Sequence, residues 1–391
     1  MVRSYAGQVA IVGVGETPVG KVPGKSALWF NAEATRLALA DAGIDKHQVD
    51  GLLTCPSFVA PFHRMSVAVS EYLGIQPTFS NTVNVSGASA AASISLAAAA
   101  IHAGLAETVV VCCGDNMLSG MTRDLAVKAL IESRDPQYEA PFGLLVATTF
   151  ALTAQRHMAE YGTTREQLAR VAVITREHAR RKPGAHMTAP LTVDDVLASK
   201  PITTPYHMLD CALVSDGGAA LVLTSAERAR DLRRKPVYLL GAGESYTQEH
   251  IFCAESITTT GARISSGKAY AMAGVGPGDI DVAGIYDCFT GTVIMMLEDL
   301  GFCRKGEGGP FVEAGHITLG GRIPINTHGG MLSYAHPGLP GGFFHIVEMA
   351  RQLRGEADGR QVEGAELALC HSLGGGFATN ATIILGTGPR A

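Results

Sequence analysis

The chain has 391 residues, 47% of them hydrophobic and 17% charged, which is enough apolar material for a large buried core in two domains or one double domain. A formal charge of −5, with no block of Lys/Arg and no interleaved aromatics, excludes a broad cationic surface for nucleic acid. The longest weakly charged stretch, around Ser89 to Gly104, is mostly alanine and falls short of the about 20 apolar residues that span a bilayer. The first residues carry no charged start, apolar middle and cleavage site of a signal peptide, so a cytoplasmic location is expected. Gln8 to Gly15 is a β-branched run ending in glycine, and Ser26 precedes a helix pattern with Phe30, Ala34, Leu37 and Ala38 on one face, stopped by Gly43. Phe79 to Val85 predicts a strand, Ser86-Gly87-Ala88 a turn, Ser89 to His102 a helix capped by Ser89, and Thr108 to Cys113 a further buried strand. This alternation predicts a parallel sheet.

Residues 116–201 form a large insertion in this reading, with helix patterns at Thr148 to Tyr161 and Thr164 to Arg180 and breaks at Pro183-Gly184 and Pro190. Leu213 to Leu223 returns to strand character with Asp216-Gly217 as a hairpin turn, and Ser225 to Leu232 predicts a helix. From Pro236 the plan restarts: Val237 to Gly243 is a glycine-terminated strand, and Val282 to Tyr286 matches the strand before Ser86 in the first half. The expected organisation is therefore α/β, with one half over 1–235, including an insertion of about 116–201, and a second half over 236–391. The eight cysteines show no CxxC pair, and Cys112-Cys113 lies inside an apolar run, so reduced, buried thiols are expected. The thirteen histidines do not fall at ligand spacing with them, and no metal site is predicted. No phosphate-binding loop is present, and Gly13 and Gly15 are followed by Pro18 where a dinucleotide fingerprint needs its third glycine.

Six segments stand in an order that resembles the thiolase superfamily over nearly the whole length. They are Val12 to Gly20, Val83 to Ser89, Ser215 to Ala220, Tyr286-Asp287-Cys288-Phe289-Thr290, Asn326-Thr327-His328-Gly329-Gly330 through His336-Pro337-Gly338, and Leu373 to Gly376. Among superfamily members the chain is most similar to the branch of the sterol carrier protein thiolase domain and lipid-transfer proteins. The resemblance implies a duplicated five-layer αβαβα fold with a loop-domain insertion. In members that cleave or condense acyl-CoA, a nucleophilic cysteine, a second cysteine and two histidines do the chemistry; here Gly87 stands at the nucleophile, Ser372 at the second cysteine and Tyr286 at one histidine, and His336 alone matches. A glycine carries no acyl group and an unactivated serine is a poor acid or base, so ordinary thiolysis is disfavoured. Ser86 and Ser89 are substitute nucleophiles on paper only, and Cys288 and Cys370 sit one or two residues off the motif positions.

Loss of the nucleophile with gain of tyrosines resembles the steroid side-chain-cleaving aldolases of this superfamily, which split a β-hydroxyacyl-CoA without an acyl-enzyme. That resemblance implies Tyr286 as base and Tyr334 as proton donor, with Tyr246 a third candidate, and His336 donating to the thioester oxygen beside amides near Gly87 or Gly375. Gly87 also leaves room for a bulky acyl group, while His328, Asp287 and His371 are candidate supports. Coenzyme A is expected as part of the substrate, with no tightly bound cofactor, and Arg123, Lys128, Arg180 and Arg181 are the cations available for its phosphates. A homodimer through the sheet edge and a small zinc-ribbon/OB-fold partner subunit are implied. The competing readings are a thiolase or acyltransferase subunit with an unusual nucleophile, and a non-catalytic lipid or acyl-CoA binder.

Overall fold

A computed structural model describes residues 4–122, 124–125 and 134–389. Strand β1 (Val9–Glu16) is buried along nearly its whole length, and helix α1 (Ala27–Ala42) packs across it. Ser26 caps that helix by accepting the Trp29 amide, and Gly43 closes it in the left-handed conformation. The packing is so close that a Cβ on Gly13 would lie 2.8 Å from Ala42 Cβ, and one on Gly15 would lie 2.5 Å from the Ala38 nitrogen. The paired glycines thus serve contact between helix and strand.

The remaining strands are β2 (Gly51–Thr54), β3 (Phe79–Thr82), β4 (Thr108–Asn116), the small β5 (Pro201–Thr203) and β6 (Tyr206–His207), β7 (Asp216–Ser225), β8 (Val237–Tyr246), β9 (Val282–Ile285), β10 (Leu367–Gly374) and β11 (Thr379–Gly386). Nine of them form one sheet in the order β3-β2-β4-β7-β1-β8-β11-β10-β9. The sheet is mixed, which corrects the expectation of a parallel one. β2 pairs in parallel with β3 and β4, and β9 with β10, whereas β7 runs antiparallel to both β1 and β4, and β11 antiparallel to β8 and β10. The expected hairpin at Asp216-Gly217 is also absent. Asp216 instead opens β7 opposite Asn116, and its carboxylate accepts the amides of Val22 (2.8 Å) and Ser119 (2.9 Å), pinning two loops.

Helices α2 (Met65–Leu73) and α3 (Ser89–His102) follow, then α4 (Val146–Tyr161), α5 (Arg165–Ala179), α6 (Ala262–Ala273), α7 (Thr290–Asp299) and α8 (Gly341–Arg354). α1 and α6 cover outer faces, on β1, β4 and β7 and on β8 and β11 respectively, while α3 and α8 pack on each other and on strands from both ends of the sheet. Ser89 lies inside the first turn of α3 and does not cap it. Its hydroxyl donates to the Ser86 carbonyl (2.7 Å) and accepts the Val85 amide (3.0 Å), which ties the turn before the helix. Of the expected phosphate contacts, Arg123 and Lys128 lie outside the described residues; Arg180 pairs with Glu177 on the surface, and Arg181 donates to the Gly359 carbonyl.

One ion cluster ties the sequence-distant parts together. Glu16, at the end of β1, is paired with Lys182 (2.9 Å) and Arg351 of α8, and Tyr334 donates to it (3.2 Å). Burial alone would raise this carboxyl, but the charges of Arg351 and Lys182 overcome it and hold it at about 2, against an ordinary 4.5. Breaking such a buried pair from one side leaves uncompensated charge and costs about 3–5 kcal/mol. Glu16→Gln should therefore lower unfolding free energy by about that amount in urea titrations. The contribution of Glu16 is present in full above its unfolded pKa and drains away as the pH falls from 4.5 towards 2, so the variant should lack this part of the wild type's acid-unfolding slope.

Candidate active site

The carboxyl ends of several strands meet at one place, the usual location of a site in an open α/β sheet. Tyr286 continues β9 by one residue: its amide donates to the His371 carbonyl (3.1 Å), which sets it beside Ser372 on β10. Asn326 closes the outer edge of β9. Its side chain accepts the Ile285 amide and donates to the Ile285 carbonyl, both at 2.8 Å, replacing a neighbouring strand with one amide group.

Gly87 faces Tyr286 directly. A Cβ at residue 87 would lie 2.5 Å from Tyr286 Cζ, closer still to the Tyr286 hydroxyl, and against the Leu373 carbonyl oxygen. The phenol thus occupies the volume into which a nucleophilic side chain would project. Ser86, just before it, has φ +55, a left-handed conformation held by the Ser89 hydroxyl. Gly342, near the start of α8, brings the other side together: its Cβ position is 3.3 Å from Ser372 Oγ and 3.4 Å from the Gly87 carbonyl.

His336 completes the group. Its ring meets that of Tyr286 edge-on, with 6.4 Å between centroids. The His336 amide donates to Ser215 Oγ (3.2 Å), and Nδ1 lies 3.1 Å from the Leu213 carbonyl, which accepts only and so fixes the proton on Nδ1. Nε2 is left with its lone pair. Burial lowers the imidazole below its ordinary range, although the Leu213 carbonyl opposes this, so the ring is neutral at pH 7. Gly375, in the left-handed turn after β10, has Ala378 and the Glu249 carboxylate as neighbours.

The two other tyrosines singled out from the sequence each have their hydroxyl engaged by a carboxylate. Tyr334 ends the π-helical turn over residues 330–334; its hydroxyl is engaged by Glu16, and its ring packs edge-on against Phe344 and His328 with Lys182 above it. His336, two residues later, turns towards Tyr286 instead, after Ala335 adopts an extended conformation. Tyr246 is 58% exposed at the end of β8, and its hydroxyl donates to Glu244. Burial raises the Tyr286 phenol above its ordinary range, with the Cys288 and Asp287 charges adding to the effect, so its resting form is protonated. The nearby thiols are unreactive by the same physics, Cys288 being pushed up to about 12 by burial and Cys370 higher still. Glu16 and Ser215 were not singled out from sequence. Glu16 carried one signal, a single charge at the end of an apolar strand.

Two family models match the chain: the thiolase N-terminal domain over residues 9–189 and the thiolase C-terminal domain-like model over residues 243–387. A steroid side-chain-cleaving aldolase of Thermomonospora curvata is 38% identical, over 89% of this chain and 91% of the relative. An acetyl-CoA acetyltransferase of Methanothermobacter thermautotrophicus is 34% identical, over 96% and 98% respectively. Among solved structures, an Ltp2-ChsH2(DUF35) aldolase superposes with a TM-score of 0.87 at 36% identity, covering 99% of both chains.

Because any side chain at residue 87 collides with both Tyr286 and backbone, Gly87→Cys should not create a reactive nucleophile. Iodoacetamide labelling followed by peptide mass spectrometry should find residue 87 no more reactive than the buried native thiols. Rapid, stoichiometric alkylation there would show that the turn has room for a sulfur.

Proposed function

The chain belongs to the thiolase superfamily and has its fold, and from that membership we propose a carbon–carbon lyase that cleaves a β-hydroxyacyl-CoA by a retro-aldol reaction. The products are a ketone and a shortened acyl-CoA. The observation that carries this reading is the Tyr286 hydroxyl seated where a nucleophile's side chain would stand, above a glycine that holds no acyl group. The similarity to a steroid side-chain-cleaving aldolase supports the same reaction class. An acyltransferase reading draws on the archaeal relative, but it requires a nucleophile that neither residue 87 nor the buried thiols provide.

In this mechanism His336 Nε2 accepts the β-hydroxyl proton, the α,β carbon bond breaks, and the electron pair moves into the thioester as an enolate. Tyr286, held protonated by burial, donates to the charge that develops, and Ser372 Oγ with the amides around Gly87 and Gly375 supplies further donors. The imidazolium returns its proton to the α-carbon, so no proton is gained or lost over the cycle. The roles of the two rings are thus the reverse of those implied by resemblance alone. Tyr334 supports the turn carrying His336 through its bond to Glu16.

The acyl branch is assigned to the shallow groove beside the Gly375 turn, lined by Thr153, Ile251, Ile257, Gly376 and Phe377 and open to solvent on one side, so a fused-ring group would lie largely outside it. Coenzyme A belongs to the substrate, with no tightly bound cofactor. Residues 1–235 and 236–391 are taken as the two halves of the duplication. Among the described residues strand β3 pairs only with β2, leaving an edge flanked by exposed Val67 and Tyr72 of α2; we assign the homodimer to this edge. A small zinc-ribbon/OB-fold subunit is the inferred further partner, by analogy with the two-component aldolase. Free thiols, most of them buried, fit a reducing, cytoplasmic setting.

Incubation with branched β-hydroxyacyl-CoAs, with and without such a partner, should yield ketone and shortened acyl-CoA in equal amounts. Tyr286→Phe should lower kcat by about 10²–10³-fold, as expected for loss of one donor to developing charge. The profile of kcat/KM against pH should fall only below pH 6.5, since the His336 base has a lowered pKa, and should show no activation between pH 7 and 10, since the Tyr286 phenol is raised. An activity rising with a pKa near 9 would instead mark a tyrosinate base. Light scattering on the isolated chain should give roughly twice its 40.8 kDa mass; a monomer would refute the edge assignment.

A further inference from the structure

Asp287 follows Tyr286, is completely buried, and holds the turn that carries His336. Its Oδ1 accepts the Met331 amide (2.8 Å) and its Oδ2 lies 3.3 Å from the Leu332 amide. The carboxylate packs so closely on the turn that a Cβ at Gly330 would fall 2.7 Å from Asp287 Cγ. From the opposite side α8 presents His345, with Nε2 3.3 Å from Asp287 Oδ1. No other basic side chain reaches ion-pair range of Asp287 among the described residues.

His345 is only 1% exposed, and neither of its ring nitrogens has an aligned hydrogen-bond partner among the described residues. The 3.3 Å approach lies within ion-pair range but off the line of a hydrogen bond. His328, 5.1 Å away between centroids, is buried and without partners at both nitrogens as well. Unpaired buried donors and acceptors are costly, so an imidazole kept in this position against an acid requires a reason. The His345 Cβ sits tightly over Gly284, 2.8 Å from where a Cβ there would lie, which fixes where the ring leaves α8.

We propose that His345 is a positioning residue for His336, acting from α8 through Asp287 and the turn over residues 330–334. The chain of contact runs from the His345 ring to the Asp287 carboxylate, on to the Met331 and Leu332 amides, and then along the turn to His336. Its effect on turnover rests on the retro-aldol reading, and its effect on geometry does not. Asp287 has two oxygens and two amides to hold, and the edge of the imidazole, packed 3.3 Å from Oδ1, blocks the carboxylate from rotating off Leu332, the longer of the two bonds.

The test compares His345→Leu, His345→Gln and His345→Asn. Glutamine places an amide nitrogen at about the reach of Nε2, and asparagine falls one methylene short. Crystal structures should show the Leu332 amide released from Asp287 and His336 displaced from the Leu213 carbonyl in His345→Leu and His345→Asn, with both contacts kept in His345→Gln. With turnover measured on the same proteins, kcat should fall about 10²-fold in the leucine and asparagine variants, as for a misplacement of about 1 Å. KM should stay within twofold and the glutamine variant should recover most of the loss. Should His345→Leu fail to fold, the Asn and Gln pair decides the matter. An unmoved turn in His345→Asn overturns the proposal whatever the wild type catalyses. An inactive wild type with the predicted displacement refutes the retro-aldol reading and leaves the positioning role standing.

Discussion

No side chain fits at residue 87, and the rest of the site is arranged around that fact. The turn Ser86-Gly87-Ala88 approaches the Leu373 carbonyl and the Tyr286 ring more closely than any Cβ allows, so the space of a nucleophile is filled by a phenol from the other half of the sheet. Filling that space with a protonated hydroxyl changes which chemistry is accessible. A covalent thioester has no atom to attach to, while a charge developing beside the phenol meets a donor already in place. In the proposed reaction His336, whose proton sits on Nδ1 against the Leu213 carbonyl, is the base and the Tyr286 phenol is the donor.

The charged groups behind the site fix its geometry without entering it. Glu16, Lys182, Arg351 and Tyr334 join β1, the insertion, the π-helical turn and α8 in one buried cluster. A second buried pair, Glu348 with Arg360, is tied through Thr327 (2.7 Å) to the segment that begins with Asn326. Both clusters brace the stretch from Asn326 to His336, which has little regular secondary structure of its own and depends on side chains for its shape.

Much of this was legible in the sequence because it is local. Helix α1 starts at its Ser26 cap and stops at Gly43, and α3 spans the alanine-rich run as expected. The motif order identified the family and placed Gly87, Tyr286, His336 and Ser372, which the structure brings together. The rest depends on three-dimensional context. The direction of β7 is set by the path of the insertion, which carries no local signal. Tyr334 and His336 are two residues apart, and only the π-helical turn followed by an extended Ala335 sends one ring to Glu16 and the other to Tyr286. The protonation of Tyr286 could not be read either, because a raised or a lowered phenol depends on whether donors or apolar atoms surround it, and here burial dominates.

In the proposed reaction carbon–carbon cleavage proceeds with nothing attached to the polypeptide. Intact-protein mass spectrometry under single-turnover conditions with a branched β-hydroxyacyl-CoA, quenched in acid while product accumulates, tests it most directly. An unmodified chain is expected at every time point as ketone appears. A transient acyl-sized mass increase that rises and decays with product formation would contradict it.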